Sequence, residues 1–317
     1  MKKSFNELYD EFIDKKSEFY DLWKNANEER KKSNRIFWSI FAIDTTIIIV
    51  LFIVMRIFNI QLALFLLAIP VWFIINIISI IVGLTVFSKN RVEYIKYYKE
   101  NIINKMVKNF FDEADYIPQK GISRYDYDEA KYHESYNIYS SEDYVEGLID
   151  NKNKIELAEV ETVEEKKEKD SNGNETTERT TKFHGLFAKI KLNKTTQNNL
   201  VISPNSFIKG MGRLEMDSQE FEAYFDVWSK DKIMGMQMLT SDIMELLVDF
   251  RKKLNRTFDV RIFEDTIYIR LHIGPIFEPE ISQESPIDME STQEFYDILE
   301  FIYALSKQII EIAEEEY

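Results

Sequence analysis

Cysteine is absent from all 317 residues, which excludes disulfides, thiol redox chemistry, cysteine-ligated zinc and anchoring through a lipidated cysteine. Histidine is almost absent. His133, His184 and His272 are dispersed and lack the paired spacing of His-Glu-x-x-His on a helix, so no metal centre is expected. Gly210-Met-Gly212 has no third glycine and no following Gly-Lys-Ser/Thr, so neither a dinucleotide nor a nucleoside triphosphate site is indicated, and a turn between strands explains it. The acidic pairs Glu142-Asp143 and Glu264-Asp265 lack calcium-loop spacing and suit solvated turns. No catalytic residue, cofactor or metal ligand is therefore named.

Two long apolar runs stand out instead: Ile36 to Met55 and Leu62 to Phe87, joined by Arg56-Ile-Phe-Asn-Ile-Gln61. About 20 apolar residues match the hydrocarbon thickness of a bilayer, so the pair reads as a transmembrane α-helical hairpin over 36–58 and 62–87. Seven Lys and Arg from Lys15 to Arg35 precede it, and Lys89, Arg91, Lys96, Lys99 and Lys105 follow, whereas the link offers only Arg56. Both termini are expected in the cytoplasm, with the chain multi-pass in the membrane. The first 35 residues are charged rather than apolar, so no cleaved leader is expected.

Asp44 lies inside the first run, where an ionisable group needs a partner or water. A hairpin turning near Ile60 places antiparallel positions at sums of about 120, which sets Asp44 opposite Asn76, with Ser79 about one turn away. An Asp44 to Asn76 hydrogen bond is expected to fix the register. Pro70 bears on this, because a break there shortens the second span and moves the turn.

Apolar residues at helical spacing flank the hairpin: Phe5, Leu8, Phe12, Phe19, Leu22, Trp23 and Ala26 before it, and Val92, Ile95, Ile102, Ile103, Met106, Phe110 and Ala114 after it, up to Pro118. They predict amphipathic helices over 1–35 and 88–117, paired as a helical stalk, with packing on the soluble domain or the lipid interface as alternatives. Residues 1–117 carry about +2 and residues 118–317 roughly −17. Such an acidic domain is repelled by nucleic-acid phosphates, so no nucleic acid is expected as a partner.

Within 118–317, strands are predicted at Ile155 to Val163, Phe183 to Leu192, Leu200 to Ser203, Arg213 to Met216, Phe225 to Trp228, Phe258 to Ile262 and Ile267 to Ile273, the last two joined across Glu264-Asp265. The polar tract 164–180 is expected to be a mobile loop. Thr240-Ser-Asp-Ile-Met-Glu245 and Ser291-Thr-Gln-Glu294 cap two amphipathic helices. The fold predicted is a transmembrane hairpin with a helical stalk, followed by a cytoplasmic α+β domain with a mainly antiparallel sheet. Asp226-Val-Trp-Ser-Lys-Asp231 suggests a structural corner, with Trp228 packed inward and Asp231 capping the next helix.

The stretch Phe221 to Leu247, with its Phe225-Asp-Val-Trp-Ser-Lys-Asp231 and Leu239-Thr-Ser-Asp-Ile-Met-Glu245 elements, resembles the bacterial two-span membrane proteins of the domain of unknown function 3137 family. So do Ser141-Glu-Asp-Tyr-Val-Glu-Gly147 and Phe183-His-Gly-Leu-Phe187. The resemblance covers most of residues 1–280. It implies two spans near the N-terminus in a bacterial inner membrane and a cytoplasmic domain, and it brings no catalytic residues. The favoured reading is a membrane-tethered interaction or scaffold protein, embedded in the lipid bilayer through two spans, with a protein partner that the sequence does not identify and homo-oligomers as an option. A membrane-anchored enzyme, or an oligomeric transport or channel subunit using Asp44, remain alternatives.

Overall fold

The computed structural model describes residues 2–14, 18–57, 68–169, 175–196, 199–204, 208–279 and 285–315. They form two compact units, one of Tyr9–Tyr98 with Glu280–Asp288, the other of Met1–Leu8, Lys99–Pro279 and Met289–Tyr317.

The first of these units is built on two helices, α2 (Glu18–Ile57) and α3 (Ala68–Tyr97), which follow the short α1 (Phe5–Phe12) in the chain. They run antiparallel and side by side. At one end Phe19 stacks on Tyr94 and Tyr97 with ring centroids 5.3 and 5.5 Å apart, and further along Phe41 meets Trp72 at 6.2 Å. One described helix, over Glu18–Val54, is long and apolar enough to cross a membrane. Tyr94, fully buried, donates from its hydroxyl to the Pro286 carbonyl at 2.6 Å.

The second unit is an α+β domain. Its nine-stranded sheet runs β1 (Asp112–Ile117), β2 (Ile138–Ile149), β3 (Asn153–Lys169), β4 (Glu175–Lys191), β9 (Thr266–Leu271), β8 (Phe258–Phe263), β5 (Asn199–Ser203), β7 (Asp226–Ser229) and β6 (Gly212–Leu214), with every described neighbour antiparallel. The Glu264-Asp265 turn brings Phe263 opposite Thr266, and Glu264 takes a positive φ of 55°, as the tight turn requires. One face carries Leu157, Leu186, Ala188, Ile202, Val260 and Ile269, all essentially fully buried, as are Leu247, Leu299, Ile302 and Leu305 of the helices Ser241–Leu254 and Met289–Glu315. Phe250 and Phe301 stack between those two helices, 3.7 Å apart. Removing so many branched and aromatic side chains from water, at about 25 cal/mol per Å², is the main force on this face.

Three expectations change. Residues 88–117 are not one helix: α3 gives way to a π-helical segment (Tyr98–Ile103), a short helix (Asn104–Phe110) and then strand β1. Ala114 and Tyr116 are buried at every second position, and pairing with β2 satisfies the backbone, so period two wins over the helical spacing. Residues 1–35 are likewise divided between Phe5–Phe12 and the helix from Glu18, and Phe5 packs edge-on against Tyr296 of the α+β unit, at 5.8 Å. The segments expected as a stalk thus divide: Met1–Leu8 and the residues from Lys99 belong to the α+β unit, and from Phe19 onward the first long helix lies beside the second. Finally, β3 and β4 stay paired from Val163–Thr181 out to Lys169–Glu175, so most of 164–180 is ladder, and 170–174 lie outside the described residues.

Candidate functional site

In the helical unit, Asn76 donates from Nδ2 to Asp44 Oδ2 at 2.9 Å and to the Trp72 carbonyl at 2.8 Å. Asp44 is buried between the helices. Ser79 lies one turn further along α3, its side chain outside the described residues. Asn76 uses both amide protons, and its Oδ1 is buried without a partner among the described residues. The arrangement suits a register contact, since a misaligned helix would leave the carboxylate without its donor.

The α+β unit holds a larger polar assembly, on the sheet face opposite its apolar core. Asp259 and Arg270 are paired across β8 and β9, and Arg261 sits two pairs nearer the turn, on the same face. Arg270 donates to Asp259 Oδ2 through Nε and Nη2, at 3.2 and 3.0 Å, and through Nη1 to Glu134 Oε1 at 2.7 Å and to the Tyr127 hydroxyl at 3.2 Å. The Ser203 hydroxyl donates to Asp259 Oδ1, and His272 Nε2 lies 3.4 Å from Oδ2. Arg261 donates to the Ala130 and Lys131 carbonyls at 3.3 and 2.7 Å. Both guanidiniums lie over the Tyr132 ring, at 4.2 Å for Arg261 and 3.8 Å for Arg270. Cation–π contact of this kind gains strength when water is excluded.

The cover is the tyrosine-rich segment. Its short helix Arg124–Glu129 starts at Ser123, whose hydroxyl accepts from the Asp126 N–H, and Lys189 of β4 reaches up to Asp126 and Glu129 at 2.6 and 2.9 Å. Burial by itself raises the Asp259 carboxyl, but His272, Arg270 and Ser203 outweigh it and hold the group well below the usual carboxylate range. Burial lowers Arg261, which has carbonyls and a ring for partners, whereas Asp259 and the neighbouring tyrosines keep Arg270 above its ordinary value despite burial. Tyr127 is pushed up to about 12 by burial.

Chemically the assembly neutralises and orients. Asp259 stands between Ser203 and His272, whereas a nucleophilic triad needs the imidazole against the hydroxyl. A second buried pair lies at the far side of the sheet, where Lys99 of the π-helical segment donates to both oxygens of Asp143 at 3.0 and 2.9 Å and reaches Glu278 at 2.6 Å. Burial opposes the charge on Lys99, but Glu278 and Asp143 together carry its pKa upward. Asp143 sits at a bulge in β2, at φ 57°, and also accepts from the Tyr116 hydroxyl. It is thus an internal anchor rather than a solvated turn residue.

The corner residues fall together. Asp226 pairs with Arg213 at 2.9 Å, Trp228 is half-buried against the aromatic cluster around Tyr127, and Asp231 Oδ1 accepts from the N–H groups of Ile233 and Met234 at 3.0 and 3.2 Å. A Cβ on Gly235 would come within 2.7 Å of Ser229 Oγ, so the motif glycine marks a close helix–strand approach. The histidines stay apart: His184 lies 3.2 Å from Glu159, His272 belongs to the Asp259 assembly, and His133 is exposed at φ 57°. Among the described residues no group of three or more His, Asp or Glu is placed to hold a metal ion.

The Asp259 assembly was not anticipated from the sequence. One signal in the chain points to it: with the hairpin turning at Glu264-Asp265, Asp259 and Arg270 are equidistant from the turn and must face each other.

Fold and sites together define an α+β domain with a mainly antiparallel sheet in a chain that also carries a candidate membrane helix. Residues 181–312 match the model of a protein family of unknown function, DUF3137. The matched stretch includes the Asp259 assembly's strands and the Asp226–Asp231 corner, while Ser141–Gly147 and the apolar runs precede it. No curated protein matches the chain. Among solved structures, the crystal structure of the mycobacterial trehalose monomycolate transport factor A, TtfA, aligns over 62% of this chain and 92% of that one, at 9% identity and a TM-score of 0.31. A likeness so slight establishes no shared fold.

Proposed function

We propose that this protein is a membrane-tethered interaction protein, in which a two-span anchor presents an acidic α+β domain to a protein partner on the cytoplasmic side. The carrying observation is the apolar surface of both helices. Ile47, Ile49, Val50, Phe52 and Ile53 of α2 are exposed, and so are Phe73, Ile74, Ile77, Ile78 and Ile81 of α3. A contiguous apolar belt on two adjacent helices is unfavourable in water and favourable in lipid. The domain contributes its charge, roughly −17 over 118–317, which suits a basic or neutral protein surface and opposes adsorption to anionic lipid.

The test is membrane fractionation of the full chain with single-cysteine labelling, on a background free of native cysteine. The chain is expected to resist alkaline carbonate extraction, with Asn59→Cys labelled by an impermeant maleimide from outside intact cells and the exposed Tyr125→Cys labelled only after lysis. Carbonate release, or labelling of Tyr125→Cys in intact cells, overturns the reading. Affinity purification from detergent should then recover a companion protein at defined stoichiometry, and a lone monomer counts against the interaction role.

A further inference from the structure

Along one face of α2, where its charged part meets its apolar part, lies a groove of about 940 Å³. Its described lining changes character turn by turn. Glu28 and Glu29 come first, Lys32 and Arg35 one to two turns on, and Ile36 and Ile40 last, at the start of the apolar run. Trp38 projects at the same level, 63% exposed. Tryptophan and Lys or Arg at the end of an apolar run mark the level of lipid headgroups. Glu29 Oε2 is buried and has no hydrogen-bond partner among the described residues. A carboxylate oxygen buried without a donor is costly, and a donor brought into the groove would lower that cost.

We propose that this groove holds one phospholipid with a primary-amine headgroup, of the phosphatidylethanolamine class; the proposal rests on the membrane reading above. The order of the lining matches the order of groups in such a lipid. Ile36 and Ile40 take the upper acyl chain, Lys32 and Arg35 take the phosphate, and the ammonium, farthest from the hydrocarbon, donates to Glu28 and Glu29. An anionic lipid such as phosphatidylglycerol satisfies the basic pair and leaves the two carboxylates facing a hydroxyl. Phosphatidylcholine places a quaternary ammonium there, with no N–H to donate. The groove therefore selects by headgroup chemistry rather than by net charge, and this selectivity separates it from the general attraction of basic residues to anionic leaflets.

Native mass spectrometry of the full chain in detergent, titrated with phosphatidylethanolamine, phosphatidylcholine and phosphatidylglycerol of the same acyl chains, tests this. Phosphatidylethanolamine is expected to bind about tenfold tighter than either, the effect of one charge-assisted hydrogen bond. Glu28→Gln with Glu29→Gln should abolish the preference over phosphatidylcholine while leaving phosphatidylglycerol binding intact, and Lys32→Gln with Arg35→Gln should weaken all three lipids. Soluble glycerophosphoethanolamine should not compete, since it lacks the acyl chain that Ile36 and Ile40 hold. Equal binding of the three lipids, or a ranking unmoved by the Glu28/Glu29 variant, overturns the headgroup site while the chain still resists carbonate extraction. Effective competition by glycerophosphoethanolamine overturns the lipid assignment in favour of a soluble phosphoamine. Carbonate release instead removes the membrane reading itself, and the two failures are distinguishable.

Discussion

Asp259 and Arg270 stand directly opposite each other on β8 and β9, and both donors of the guanidinium edge meet a single carboxylate oxygen, Oδ2, at 3.2 and 3.0 Å. Each side chain is 6% exposed. Removing either partner strands a buried charge, whereas removing both leaves a gap that apolar side chains can fill. Asp259→Ala and Arg270→Ala are each expected to destabilise the domain by about 3–5 kcal/mol, and Asp259→Leu with Arg270→Met by clearly less than the sum of the two. Chemical denaturation followed by tryptophan fluorescence measures all three.

Acid should act through the same carboxylate. The folded Asp259 holds its proton less tightly than an unfolded aspartate does, so its contribution is fully present above the unfolded value of about 4 and is lost as pH falls below it, toward the folded value. Stability is expected to be level near neutrality and to decline on acidification below about pH 4, with a shallower decline in Asp259→Asn. Thermal melts across pH 2.5–7 in matched salt, an interval of about four and a half units around that value, provide the comparison. An unchanged slope in Asp259→Asn assigns the acid sensitivity to other carboxylates.

Gly185 of the Phe183-His-Gly-Leu-Phe187 element lies where a Cβ would fall 2.0 Å from the Leu271 carbonyl oxygen. Neither segment can yield easily, because β4 and β9 are paired from Leu186–Leu271 onward and, on the other side, the Gly274 N–H donates to the His184 carbonyl at 3.1 Å. Gly185→Ala should cost at least about 3 kcal/mol, or prevent folding outright, read as loss of protease resistance of the domain. Wild-type resistance in that variant contradicts the geometry.

The Asp44–Asn76 contact makes a prediction that separates hydrogen bonding from charge. Phe41→Cys with Trp72→Cys places two thiols at neighbouring positions, since those rings are 6.2 Å apart. Asp44→Asn keeps an acceptor for Asn76 and should leave the cross-linking yield unchanged, while Asp44→Leu should weaken helix pairing by about 1 kcal/mol, close to fivefold in the pairing equilibrium. A collapse of cross-linking in Asp44→Asn means that the charge itself is required.

What could be read along the chain was whatever depends on near neighbours. The cap at Thr240, the two-residue turn at Glu264-Asp265 and the spacing of Ile243, Leu247 and Phe250 are local, and the structure has Thr240 Oγ1 accepting from Ile243 N and the hairpin closing at that turn. The strand Asp112–Ile117 was obscured, because Phe110 and Ala114 also fit a helical repeat. The strand Ile138–Ile149 gives little signal in sequence, because its first half, Ile138-Tyr-Ser-Ser-Glu142, buries neither face and shows no apolar alternation.

Composition and periodicity by themselves determined the apolar runs, the acidic balance of the domain, its mix of strands and helices, and the lack of cysteine chemistry. They could not determine which polar residues are buried. Phe258-Asp-Val-Arg-Ile-Phe263 alternates as a strand with one wet face would, yet all six residues are buried, because Tyr127 and Tyr132, more than 120 positions earlier, lie over that face. Alternation reports which residues share a face, and only the tertiary structure decides what covers it. Once water is excluded there, Asp259 and Arg270 change from two surface charges into the charged centre of the fold, since their interaction grows as the surrounding dielectric falls.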